Sequence, residues 1–285
     1  MRRTGALLVL LVLLTACTGG PGDEPTSGPT GPATTAPTVE PTPDPDPPAA
    51  PSDAGVYYVL DTRAGLRLAR EAADAGGEDA VRLAVEQMIA GPSDPDYSTS
   101  WDPSTTVLGV DIDEGTLTVD LSEDARTANI GSPGAALMIQ QLVYTATDAA
   151  GDESLAVMLT IEGEPAGELW GAMMWDEPVT RADPLDVRLL VQIDDPQDGA
   201  TVTSPVTVSG DAAVFEANLL WSVLDVAGAE VLTGFTTTAE GQTFAPYEFV
   251  LELEPGEYTV VISESDPSDG EGGTPMSDSK AVTVS

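Results

Sequence analysis

Histidine is absent from the 285 residues, cysteine occurs once, at position 17, and lysine once, at position 280. Without histidine there is no imidazole for proton transfer at neutral pH or for metal ligation. A zinc site would need His or Cys that the chain lacks. One cysteine permits no intramolecular disulfide, so stability rests on packed cores. Basic residues of any kind are scarce: ten Lys and Arg stand against 48 Asp and Glu, a formal charge of −38. Such a field repels phosphate backbones and anionic headgroups, which argues against nucleic acid as a partner and against electrostatic docking on a membrane. No G-x-S-x-G, P-loop or dinucleotide fingerprint is present, and no cofactor is implied.

The single cysteine has a telling position. Arg2 and Arg3 precede an unbroken apolar run from Ala6 to Leu14, and Leu14-Thr15-Ala16-Cys17 closes it. Nine apolar residues fall far short of the roughly 20 that span a bilayer, so the segment reads as a processing signal. The pattern resembles a bacterial lipoprotein signal. That resemblance implies cleavage after residue 16 and palmitate-type acylation of Cys17, which would hold the protein on the extracytoplasmic face of the cell membrane. At about 0.8 kcal/mol per buried methylene, two or three acyl chains anchor stably where one does not. Loss of Arg2 and Arg3 with the signal leaves eight basic residues against 48 acidic ones, a charge of −40.

Residues 17–55, beyond Cys17, are rich in Pro, Thr, Gly and acid and hold almost no large apolar side chain. They cannot build a core, and repeats such as Pro41-Thr42-Pro43-Asp44-Pro45 favour extended polyproline II, a stalk reaching on the order of 100 Å. Order is expected from Val56. Val56 to Leu60 and Gly65 to Ala69 read as strands. Val81, Ala84, Val85, Met88 and Ile89 recur at helical spacing, with acids in the first turn and Gly91-Pro92 as a stop. Leu108, Val110 and Ile112, then Leu117, Val119 and Leu121, alternate around Glu114-Gly115 as a hairpin. A second helix is expected with Ser132 as its cap, Pro133 at its first position and Ala135, Ile139, Leu142, Val143 and Ala146 as its buried stripe. Leu155 to Ile161 give a further strand. The order is β-α-β-β-α-β, a small sheet with helices on one face, over residues 56–177.

A second domain is placed at 186–285. Seven β-rich stretches follow one another there: Val187 to Ile193, Val206 to Ser209, Asn218 to Leu224, Glu230 to Thr237, Tyr247 to Leu253, Glu257 to Ser263 and Lys280 to Val284. That spacing argues an immunoglobulin-like sandwich, with Trp221 as its central indole. The fold class is therefore α+β followed by an all-β domain.

Several constellations invite chemistry and are better read as structure. Ser277-Asp278-Ser279-Lys280 spells the S-x-x-K of serine acyl-enzymes, yet it enters a terminal strand and no second lysine exists. Asp111-Ile112-Asp113-Glu114-Gly115 approximates a calcium loop, but its glycine arrives one position early and the bidentate Glu is missing. Asp194 to Gly199 and Asp266 to Glu271 offer further oxygen ligands, read as solvated loops. With 48 acids, a glycosidase-like carboxylate pair lies at any chosen separation and carries no signal. Arg63, Arg67, Arg70 and Arg82 cluster within 20 positions, either paired with Glu71, Glu78 and Glu86 or forming a dock for an acidic partner or wall polymer. Trp101, Trp170, Trp175 and Trp221 would stack sugars if exposed.

Two resemblances gather these readings. Met88-Ile89-Ala90-Gly91-Pro92, Thr118-Val119-Asp120-Leu121-Ser122, Gln141-Leu142-Val143-Tyr144-Thr145 and Thr160-Ile161-Glu162-Gly163 resemble the GerMN domain of sporulation and spore-germination proteins. Ile193-Asp194-Asp195-Pro196, Val208-Ser209-Gly210, Val214 to Asn218, Trp221 and Pro255-Gly256-Glu257-Tyr258 resemble the immunoglobulin-like Gmad2 domain. The pairing implies a ring-building-type fold, a lipid-anchored envelope protein, and assembly rather than catalysis, with no catalytic residue to carry over. The expected partners are the membrane through Cys17 and an envelope protein or cell-wall polymer; no oligomeric state is specified. The rival readings are a wall-active hydrolase or enzyme accessory using acid pairs, and a calcium- or glycan-binding module.

Overall fold

The computed structural model describes residues 54–73, 76–265 and 274–285. The signal segment, Cys17, most of the Pro-rich stretch and the acidic tract 266–273 lie outside the described residues. The described residues form one compact unit.

The chain opens with the antiparallel hairpin β1 (Gly55–Thr62) and β2 (Gly65–Ala72), followed by helix α1 (Ala80–Ala90). Strands β3 (Val107–Asp113) and β4 (Thr116–Leu121) form the expected hairpin. Its turn is Glu114 and Gly115, at φ 45° and 83°. Two consecutive positive φ values define the two-residue turn that matches strand twist, and glycine takes the second at no steric cost. Helix α2 (Ser132–Ala149) then crosses over to β5 (Ala156–Ile161), which pairs parallel with β4. The short strands β6 (Glu164–Pro165), β7 (Gly167–Leu169) and β8 (Met173–Trp175) complete this half. The main sheet runs β3-β4-β5-β6.

Two helix starts differ from expectation. Helix α2 is capped by Gly131 without a side-chain bond, and Ser132 is already helical. Acids precede the first turn of α1, with Asp79 at its cap, rather than occupying it.

The first strand also has an unexpected setting. β1 and β2 form a two-stranded sheet, extended by single bridges from Val59 to Ser98 and from Leu68 to Arg188, and lie across α2 from the main sheet, so α2 is covered on two sides. Leu137 and Tyr144 pack on Tyr57, Val59 and Leu68 of the hairpin. Met138, Ile139, Leu142, Val143 and Ala146 pack with Leu117, Val119, Leu121, Val157 and Leu159 of the sheet. An edge strand buried in this way needs partners for its outward backbone groups. Side chains of α2 supply them. Asp148 Oδ2 accepts from Gly55 N at 2.7 Å, Thr145 Oγ1 accepts from Tyr57 N at 3.0 Å, and Gln141 Nε2 donates to Tyr57 O at 2.9 Å. Positions 141, 145 and 148 share one helix face by the 3.6 period, so a polar stripe runs inside an otherwise apolar helix.

The second half begins with the short helix α3 (Pro184–Val187) and continues as β9 (Val191–Asp195), so that the strand expected from Val187 starts at Val191, then β10 (Ala200–Val202), β11 (Val206–Ala212), β12 (Asn218–Asp225), β13 (Glu230–Thr237), β14 (Ala245–Leu251), β15 (Gly256–Glu264) and β16 (Ser277–Val284). They form two facing sheets, β10-β16-β15-β12-β13 and β14-β11-β9. The seven expected strands are present, and β10, three residues long, joins them parallel to β16. Val206, Val208, Leu219, Val223, Val260, Ile262 and Val282 fill the space between the sheets. Trp221 is half-buried rather than central and stacks on Phe249, centroids 5.2 Å apart. The glycine of Val208-Ser209-Gly210 has a specific cause. A Cβ there would lie 1.9 Å from Gln192 O, which at 2.7 Å accepts the Tyr247 hydroxyl, and the strand register shifts at this point.

The polar stripe of α2 yields a test. Thr145→Val is isosteric but strands the Tyr57 N–H in the interior, which costs about 1–3 kcal/mol. Urea unfolding of the variant should show that loss with an unchanged m-value; parental stability would mean that this strand edge is satisfied in another way.

Candidate functional site at the domain junction

The two halves meet where β2, the loop after α1, β9 and β16 converge, and charged side chains gather there. Lys280 on β16 is 1 % exposed, and Asp94 and Asp278 are 2 % and 3 % exposed. Strand alternation explains half of the arrangement: Asp278 and Lys280 share the inward face of β16, while Ser277 and Ser279 point the other way. The S-x-x-K serine and lysine are thus on opposite faces. Glu71 of β2 explains the rest. Its buried carboxylate accepts from Ser93 N at 2.9 Å and Asp94 N at 2.7 Å, which folds the loop after α1 so that Asp94 faces Lys280.

The Lys280 ammonium donates to Asp94 Oδ2 at 2.5 Å, the Tyr97 hydroxyl at 2.6 Å and Asp278 Oδ1 at 3.3 Å, and lies 4.2 Å from the centre of the Tyr97 ring. Tyr97 donates to Asp278 Oδ1 at 2.7 Å, and Ile193 N donates to Asp278 Oδ2 at 2.7 Å. Gln192 ties the network to β2: its amide donates to Arg70 O and accepts from Arg70 N, both at 2.9 Å. Burial raises the Asp278 pKa, against the opposing pull of Lys280 and its hydrogen-bond donors. Burial, then the Asp278 charge, pushes the Tyr97 hydroxyl well above its usual range.

The arginine cluster serves the same junction. Arg70 pairs with Asp194 through Nε at 2.7 Å and through Nη2, and Nη2 lies 3.6 Å from Asp211. Burial acts to lower the Arg70 pKa, but Asp194 and Asp211 outweigh it and the net shift is upward. Arg63 pairs with Glu264, and Arg67 donates to Asp186 O. Arg188 bonds both oxygens of Asp211, at 2.8 and 2.9 Å. Of the sequence-local partners considered, Arg82 alone takes one, Glu86 at 3.8 Å. Arg63, Arg67 and Arg70 act across the junction instead. No sequence signal connected them with Asp194, Asp211 or Glu264, whose separations exceed a hundred residues.

The other candidate residues are dispersed. Asp111 to Gly115 form the β3–β4 hairpin end. In the Asp194 to Gly199 loop, Asp194 is occupied by Arg70 and Asp198 accepts from Ala281 N at 2.7 Å. Among the described residues, no group of three His, Cys, Asp or Glu is arranged to hold a metal. Trp101 and Trp175 are buried, and Trp170 packs edge-on to Trp101, centroids 5.5 Å apart. No helix among the described residues is long and apolar enough to cross a membrane. Cys17 and the tract Asp266 to Glu271 lie outside the described residues. The arrangement can bind two domains into one body.

Residues 55–167 match the family model described as sporulation and spore germination, and residues 190–271 match the one described as the immunoglobulin-like domain of bacterial spore germination. Among solved structures, the tandem GerMN domains of the sporulation protein GerM from Bacillus subtilis are 19 % identical, covering 50 % of this chain and 49 % of that one, at a TM-score of 0.39. The chain thus spans about half the length of that structure. The first GerMN domain of the same protein is 20 % identical, covering 45 % of this chain and 98 % of that one, at a TM-score of 0.35. No curated protein matches the chain.

Two predictions follow from the junction. Lys280→Met leaves two buried carboxylates without their cation, and breaking a buried pair on one side costs about 3–5 kcal/mol; chemical denaturation should record that loss, and a change under 1 kcal/mol would show the ammonium to be dispensable. The second concerns alkaline pH. Burial is the leading cause that raises the pKa of Tyr57, Tyr97, Tyr144 and Tyr247, that of Tyr144 to about 12. A folded pKa above the unfolded value of 10.0 favours the native state fully below pH 10 and loses that favour as pH rises through the folded value. Stability should fall above pH 10 by about 1.4 kcal/mol per pH unit for each such tyrosine. Absorbance at 295 nm should report fewer ionised tyrosines in the native protein than in urea; equal ionisation at a shared midpoint near 10 contradicts this.

Proposed function

Because residues 55–167 carry the sporulation and germination domain and residues 190–271 the immunoglobulin-like germination domain, we propose that the protein is a noncatalytic envelope component that binds or scaffolds other envelope components. In this reading residues 1–16 are removed, Cys17 is acylated on the extracytoplasmic face, residues 17–55 are the spacer, and the functional domains are 56–177 and 186–285. The observation that carries the reading is the buried Lys280–Asp94–Asp278 contact. Charged groups of both domains are withdrawn from water at their shared boundary, so the two present one fixed surface, as an assembly part requires and a hinged enzyme cleft does not. The opposite orientation of Ser277 and Lys280 on β16 supports the absence of acyl-enzyme chemistry.

Crosslinking in intact cells followed by mass spectrometry should recover a reproducible envelope protein or wall polymer. Failure to recover any would defeat the scaffold reading. Cys17→Ser should move the protein from the membrane to the soluble fraction, since a charge of −40 offers no second attachment to anionic lipid. Retention of that variant on the membrane would mean that a protein partner holds it there.

A further inference from the structure

A cleft of about 540 Å³ opens beside the junction, away from Lys280, with Tyr57, Arg70, Tyr144, Arg181, Arg188 and Phe244 in its wall. It has the size of a small-molecule site. Three of the chain's ten basic residues line it. Arg181 is fully engaged: it bonds Thr147, Tyr144 O and Asp148, pairs with Glu153 at 3.1 Å, and covers the Tyr144 ring. Arg70 and Arg188 are not. Arg70 spends Nε and Nη2 on Asp194 and Asp211, and Arg188 spends Nη2 on Asp211. Arg70 Nη1 and Arg188 Nη1 and Nε have no partner among the described residues, although the Arg188 side chain is 9 % exposed.

Tyr57 is a second and independent sign. It is 2 % exposed, its ring packs edge-on to Tyr144 at 5.2 Å, and its hydroxyl has no hydrogen-bond partner among the described residues. A buried hydroxyl without a partner is costly, and such groups mark places where something else is accommodated. The charges of Arg70, Arg181 and Arg188 act on this hydroxyl, opposing the larger effect of burial on its pKa. Two arginines with unused donors and a tyrosine with an unused hydroxyl thus line one cleft.

We propose that this cleft binds a small monocarboxylate, held by the free guanidinium edges of Arg70 and Arg188 and by the Tyr57 hydroxyl. Planar guanidinium donors match a carboxylate, and the phenol adds a third donor. Formal charge favours the smaller anion. Glu153, Asp183 and Asp211 also line the cleft, and Asp194 and Asp148 pair with Arg70 and Arg181 beside it, so five acids surround the three arginines. Each added negative charge is costly there, which disfavours a phosphate dianion more than a monocarboxylate.

The test is isothermal titration of the full chain in detergent micelles with benzoate, with benzamide as the neutral analogue and with inorganic phosphate. Saturable benzoate binding is expected, with benzamide at least tenfold weaker and phosphate weaker than benzoate. Tyr57→Phe removes one donor to a charged group and should weaken benzoate about tenfold or more. Because that hydroxyl has no partner among the described residues, the variant should unfold at no lower a temperature than the parent, which separates lost binding from lost fold. Arg188→Lys keeps the charge but loses the planar fork and should also weaken benzoate. Absence of benzoate heat, equal affinity for benzamide, tighter binding of phosphate, or unchanged affinity in Tyr57→Phe would each overturn the assignment.

Discussion

The architecture depends on one ammonium removed from water. Lys280 sits between Asp94 of the first half and Asp278 of the second, closed over by Tyr97 and linked through Gln192 to the backbone of Arg70. Desolvating three charges is unfavourable, and the attraction among them offsets that cost only when geometry and hydrogen bonding are complete. Completeness here requires both halves at once. Without Asp94, held by Glu71, Lys280 would face one carboxylate; without β16, Asp94 would be a buried anion with no cation. The contact therefore selects a single docking of the two halves, a specificity that an apolar interface of the same area would not impose.

The same logic appears on a smaller scale in α2. Its apolar positions were readable because Ala135, Ile139, Leu142, Val143 and Ala146 follow the helical period, and all are buried. Gln141, Thr145 and Asp148 follow that period too, but polar residues at helical spacing ordinarily mean a solvated face. Their role as hydrogen-bond partners of β1 is invisible until β1 is placed beside the helix rather than in the main sheet. A long-range pairing decision converts what looks like a surface stripe into an interior one.

Legibility divides along that line. The helices, the β3–β4 hairpin at Glu114-Gly115 and the seven strands of the sandwich rest on local periodicity and turn chemistry, and the chain announces them. The two cap positions at Gly131 and Asp79 depend on a residue or two of phase, which pattern does not resolve. The junction is another matter. Arg63, Arg67 and Arg70 stood out as an anomaly of composition, but their nearest acids in sequence, Glu71 and Glu78, were the natural candidates, and Glu71 instead folds the Asp94 loop. Lys280 stood out as the only lysine, and the catalytic reading of its motif fails for a local reason, the alternation of β16. Its true partner Asp94 lies 186 positions away, and no periodicity reaches that far.

Scarcity of positive charge gives the junction its significance. Two domains of a protein at −38 repel one another at their facing surfaces, and association requires that repulsion to be locally reversed. Five of the eight cations left beyond residue 16 are placed to do this: Arg63, Arg67, Arg70, Arg188 and Lys280. They differ in how they respond to salt. Arg63 and Glu264 pair near the surface, where added ions screen the attraction within about a Debye length. Lys280 and its carboxylates are buried and are screened much less. Screening also relieves the mutual repulsion of the acidic faces, so salt weakens an exposed attraction and a diffuse repulsion together while the buried contact changes least. The placement of the cations thus makes the union of the two domains less sensitive to ionic strength than surface pairs alone would leave it.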